Sequence, residues 1–92
     1  NLQARIGKFG NITRALGENT EGLSDYDAAC LAIELVRQLN RDLGIPGQLR
    51  EVGVKTSAVA SLSASAMQSG NVQVNPRKTT LDDMKVLFRQ AI

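Results

Sequence analysis

Apolar residues recur at helical spacing along most of this chain. Leu2, Ile6, Phe9, Ile12 and Leu16 stand four, three, three and four residues apart. That spacing puts them on one face of a helix predicted from about residue 2 to 16. Gly7 and Gly10 fall inside it. Each costs roughly 1 kcal/mol against Ala in a helix interior, although a small residue also lets another backbone come close. Gly17 suits the C-terminal cap. Ser24, followed by Asp25 and Asp27, marks the start of the strongest helix, predicted over residues 25–43. A Ser oxygen there accepts an orphan amide, and the acids meet the positive end of the helix dipole. Tyr26, Ala28, Ala29, Ala32, Ile33, Leu35, Val36, Leu39 and Leu43 fill about half of its circumference, opposite Asp27, Glu34, Arg37, Gln38 and Arg41. An arc that wide predicts a central helix touching more than one neighbour. Glu34 is spaced to pair with Arg37 or Gln38.

Gly44 ends that helix, and Pro46 prevents its continuation. Residues 48–52 fit one short turn with Leu49 inward, and Gly53 permits a reversal. Thr56 or Ser57 is then placed to cap a helix running to about Gln68, with Val59, Leu62 and Ala66 as its apolar stripe. Its many serines compete for backbone hydrogen bonds and lower its helix propensity. Residues 69–74 read as a turn and then a short extended piece. Asn75-Pro76 fixes the backbone before a last helix capped by Thr80, with Asp83 three residues on as the second half of a capping box. Leu81, Met84, Leu87, Phe88 and Ala91 form its apolar face. The pattern therefore predicts one all-α domain over residues 1–92: a small bundle of four main helices plus a short extra turn.

Composition sharpens this picture. Phe9, Phe88 and Tyr26 are the only aromatics. The core must come from Leu, Ile, Val and Ala, in a chain short enough that its margin of stability is thin. Such a piece gains from packing against another domain or a partner. The net charge of +2, from eleven basic and nine acidic residues, is too mild and too scattered for a nucleic-acid footprint. Arg5, Lys8 and Arg14 make the one local excess, read as a solvated helix face. Cys30 is the only cysteine; among alanines it reads as a small buried apolar residue, and a reducing compartment suits it. There is no secretory signal pattern and no apolar run of membrane-spanning length, so the expected location is cytoplasmic.

No constellation here points to chemistry. A transition-metal site draws on His or Cys with carboxylates, and the chain has no His and one Cys. Asp82-Asp83 and Asp25/Asp27 sit at helix starts, where acids serve as caps. Gly44-Ile45-Pro46-Gly47 has Pro where a phosphate loop needs N–H donors. A free-standing interaction module is the alternative, and its sharpest form reads Leu49–Val59 as the turn and second helix of a helix-turn-helix. Pro46 and Gly47 disrupt the first helix of that motif, and Thr56–Ala66 offers no Arg, Lys, Asn or Gln for base contacts.

Five phrases nevertheless stand in a telling order: Ile12-Thr13-Arg14-Ala15-Leu16-Gly17; Gly22-Leu23-Ser24; Leu39-Asn40-Arg41-Asp42-Leu43-Gly44-Ile45-Pro46; Leu49-Arg50-Glu51-Val52-Gly53-Val54; and Asn75-Pro76-Arg77 with Thr80-Leu81-Asp82-Asp83. Together they resemble the C-terminal end of the iron-containing (group III) alcohol dehydrogenases, at the lactaldehyde/1,3-propanediol reductase end of that family. The resemblance implies the C-terminal part of a dehydroquinate synthase-like helical domain. It implies a parent that moves a hydride between NAD(P) and a primary alcohol or aldehyde. In such enzymes a divalent metal, usually iron with zinc as the alternative, polarises the substrate oxygen.

The family's metal ligands, an Asp and three His, and its cofactor loop lie in earlier segments. Residues 1–92 are thus expected to hold no catalytic, cofactor-binding or metal residue, and to be structural and inactive alone. By the family's register Asn71 is the residue expected to face substrate or cofactor, against the plainer reading of a turn former. Relatives often carry an acid near Gln68 and a Gly just before Asn-Pro-Arg; Gln73 and Val74 stand here instead. Arg77 is expected to clamp a helix end or a carboxylate. The expected partners are the rest of the parent chain and a further copy, with no nucleic acid and no membrane.

Overall fold

The computed structural model describes residues 1–92 as helices and turns. They fall into two compact units, Asn1–Ile45 and Pro46–Ile92.

In the first unit, α1 (Ile6–Ala15) packs along α2 (Asp25–Asp42). Residues 1–5 do not join α1. They form their own turn, closed by Ala4 N–H to the Asn1 carbonyl at 3.1 Å and Arg5 N–H to the Leu2 carbonyl at 3.2 Å. Arg5 at the N-cap offers no side-chain acceptor, so nothing fixes an earlier start. Gly17 takes φ 94° just beyond α1, the left-handed cap that its position predicts. Ser24 caps α2 by accepting the Asp27 N–H at 3.0 Å.

The helices meet through small residues. Ala28, Ala29 and Ala32 are buried on α2, with Gly10 and Thr13 on α1. A Cβ at Gly10 would stand 3.8 Å from that of Ala28, so Gly10 is where the backbones come close. Only part of the wide α2 arc is covered within the unit: Ile33 and Leu35 are half-buried. Tyr26, Val36, Leu39 and Leu43 are exposed, Leu43 by 66%. Within its unit α2 has one helical neighbour, and one neighbour covers only one stripe of a wide apolar face. The Glu34–Arg37 pair forms, at 2.6 Å.

The second unit opens with a single 3₁₀ turn, Leu49–Val52, closed at its start by a reciprocal Gln48/Glu51 cap. Gly53 follows at φ 90°. A further 3₁₀ turn, Thr56–Ala58, runs into α3 (Val59–Ala66). Neither Thr56 nor Ser57 caps α3: Ala58 holds its N-cap position and Lys55 that of the 3₁₀ turn, and neither supplies a side-chain bond. α3 packs against α5 (Leu81–Ala91), burying Val59 and Ser63. Between them lies α4 (Gly70–Gln73), one helical turn where extended backbone was predicted. Ser69 explains the difference. Its hydroxyl accepts the Asn71 N–H at 3.3 Å and so begins a helix that hydrophobic spacing does not announce. On α5 the predicted apolar face is only half covered: Met84 and Phe88 are half-buried, whereas Leu81, Leu87 and Ala91 are exposed. No helix is long and apolar enough to cross a membrane.

Candidate functional site

Residues 67–80 connect α3 to α5 and carry Asn71. Asn71 is the second residue of α4 and is exposed. Its backbone is held by Ser69, while its carboxamide makes no hydrogen bond within the chain. The amide is thus free to donate and accept, but it cannot transfer a proton at ordinary pH. Half-buried Val72 anchors the turn from the inner side.

Beyond α4 the backbone is fixed by side chains. The Asn75 amide donates to the Arg77 carbonyl at 2.6 Å and to Thr79 Oγ1 at 3.2 Å. Arg77 reaches Asp83 at 3.2 Å, the carboxylate clamp expected of it. Thr80 Oγ1 accepts the Asp83 N–H at 3.1 Å, and the Asp83 carboxylate accepts the Thr80 N–H at 2.9 Å. This is a closed capping box. The backbone bond from Thr80, the Thr80 hydroxyl and Arg77 together hold the Asp83 carboxyl below the usual Asp range.

Other predicted features are placed less simply. Cys30 is half-buried rather than buried. It lies one turn beyond Tyr26, and hydrogen bonding between the two raises the phenol above its ordinary pKa. Arg14, from the basic group on the first segment, is held by Asn11 and Thr20. Leu49–Val52 is one 3₁₀ turn rather than a helix, so the first half of a helix-turn-helix is not formed. For metal, no three His, Cys, Asp or Glu side chains come together. With no His and one Cys, the residues present do not fit an iron or zinc centre.

All of residues 1–92 match the model of the Fe-containing alcohol dehydrogenase family, C-terminal. The chain belongs to that family. It is 44% identical over 91 residues to 1,3-propanediol dehydrogenase of Citrobacter freundii, a match covering 99% of this chain and 24% of that protein. It is 39% identical to lactaldehyde reductase of Escherichia coli (strain K12), over 91% of this chain and 22% of the relative. A crystal structure of 1,3-propanediol oxidoreductase superposes with a TM-score of 0.94 at 41% identity, covering 99% of this chain and 24% of that one. The chain thus spans about a quarter of the length of the relatives it matches.

Proposed function

We propose that these residues are the C-terminal helical part of an iron-dependent alcohol dehydrogenase. Its complete chain transfers a hydride between a nicotinamide cofactor, NAD or NADP, and a primary alcohol or aldehyde such as 1,3-propanediol. The observation that carries this reading is the full-length match, in sequence and in backbone, to a segment making up a quarter of such relatives. The donor chemistry agrees: a chain without His supplies neither an iron site nor a proton relay. Metal and cofactor therefore belong to residues outside these 92, and the segment acts as scaffold. Its partner is the rest of the parent chain, which covers apolar residues such as Leu39, Leu43 and Leu87, exposed here. A second copy is a further partner; nucleic acid and membrane are not. A cytoplasmic setting suits the single free thiol. Asn71, exposed with an uncommitted carboxamide, is the residue we place at the cleft, where it would orient a substrate or cofactor oxygen by hydrogen bonding.

Two proteins test this: the complete polypeptide and the 92-residue chain, each supplied with iron, NAD or NADP, and 1,3-propanediol. Formation of reduced cofactor is followed by absorbance. The complete protein should turn over and the short chain should not. Turnover by the short chain alone, or none by the complete protein on any primary alcohol, would sink the reading. Asn71→Ala in the complete protein should raise KM with little change in folding; unchanged kinetics would remove Asn71 from the cleft.

A further inference from the structure

The ion pairs of the chain engage Arg37, Arg77 and Lys85. Three other cations, Arg50, Lys55 and Arg89, have no acidic partner and line one concave pocket of about 660 Å³ within the second unit. They come from three places: the 3₁₀ turn, the loop after Gly53, and the last turn of α5. The hydroxyl residues Thr56 and Ser57 share the lining, and no Asp or Glu does. Glu51, the nearest acid along the chain, is turned away. Its carboxylate accepts the Gln48 N–H at 2.7 Å. Arg50 is steadied from the other side, its Nε donating to Gln48 Oε1 at 2.7 Å, which leaves its terminal nitrogens uncommitted. Opposing these charges is the carbonyl end of α5, worth about half a negative charge. Three full positive charges outweigh it.

We infer that this pocket binds a small multivalent anion of the phosphate class, with Arg50 and Arg89 gripping its oxygens and Lys55, Thr56 and Ser57 completing the cradle. Planar guanidinium groups match phosphate oxygens in pairs. The volume lies in the range of small-molecule sites. The inference does not depend on the dehydrogenase reading, because every residue it uses lies in this unit and none has been given a part in the redox chemistry.

Hydrogen exchange on the complete polypeptide tests it, with inorganic pyrophosphate and ADP as separate probes. Pyrophosphate should slow exchange in peptides covering residues 48–57 and 86–92 and leave those covering Lys8, Arg14 and Arg41 unchanged. The double variant Lys55→Gln/Arg89→Gln should raise the half-saturating concentration by about tenfold or more, since it removes two charge-assisted contacts, the stronger kind of hydrogen bond. Equal protection by both probes would mean that the phosphates alone are read. Protection by ADP only would mean that the nucleoside is read as well. No protection by either, protection spread over all basic peptides, or an unchanged double variant would overturn the inference.

Discussion

The Thr13 hydroxyl donates to the backbone carbonyl of Ala28, fifteen residues away, and both residues are buried. It ties α1 to α2 at the point where Gly10 lets the helices approach. Thr13→Val keeps the shape and removes the donor. It should lower the stability of this unit by about 1 kcal/mol, the net value of a buried hydrogen bond. Thr13→Ser should lower it less. Chemical denaturation followed by circular dichroism measures both, and equal stability of the Val variant would show the bond to be energetically idle.

Ser63 presents the opposite case. Its hydroxyl is fully buried where α3 meets α5 and has no hydrogen-bond partner. An unsatisfied buried hydroxyl costs about 1–3 kcal/mol, and Ala is also the better helix former. Ser63→Ala should therefore stabilise the second unit by about 1 kcal/mol. A destabilised variant would reveal a partner for that oxygen.

Asp83 makes stability depend on pH with a defined sign. Its bonds to the Thr80 backbone, the Thr80 hydroxyl and Arg77 lower its carboxyl pKa in the folded state from the ordinary value of 3.8. The folded chain thus binds this proton more weakly than the unfolded chain does. The stabilisation is complete above the unfolded carboxyl range, near pH 4, and is lost as pH falls through the lower folded value. Urea midpoints of the wild type should drop across that window more steeply than those of Asp83→Asn. Parallel curves would rule the cap out as the source. Thr80→Ala should cost about 1 kcal/mol near neutral pH, as loss of an N-cap does.

Tyr26 offers an optical reading of its neighbour. It is the only tyrosine and there is no tryptophan, so an ultraviolet titration sees one phenol. Hydrogen bonding with Cys30, followed by charge repulsion from the thiolate, raises its pKa above 10.0. Cys30→Ala should bring the midpoint back toward the ordinary value. A midpoint that does not move would place the two side chains apart in solution.

The legible parts of this fold were those written in local chemistry. Ser24 with Asp25 and Asp27, and Thr80 with Asp83, announce helix starts because the groups that satisfy the first amides lie within three residues. Gly17 and Gly44 announce helix ends because their positive φ is costly for other residues. The α4 turn escaped because a four-residue helix has no apolar period to detect. The start of α3 is not legible in Thr56 or Ser57, because the helix is entered through the 3₁₀ turn Thr56–Ala58 and begins without a side-chain cap.

What neighbours cover lies outside local reach. Leu81 and Leu87 share the apolar face of α5 with Met84 and Phe88, yet only the latter two are half-buried, because α3 is narrow and built of small residues. Asn71 was named from a family register. The fold adds that Ser69 holds its backbone N–H in the α4 turn, which periodicity does not reveal.

The order of residues alone settled the starts of α2 and α5, the ends of α1 and α2, and family membership, since each depends on groups a few positions apart or on phrases in sequence. The fold alone decided that Thr13 would meet Ala28, that Ser63 would be buried without a partner, and that Arg50, Lys55 and Arg89 would share one hollow. Those outcomes depend on which helix faces which, and burial acts between residues that the chain keeps far apart.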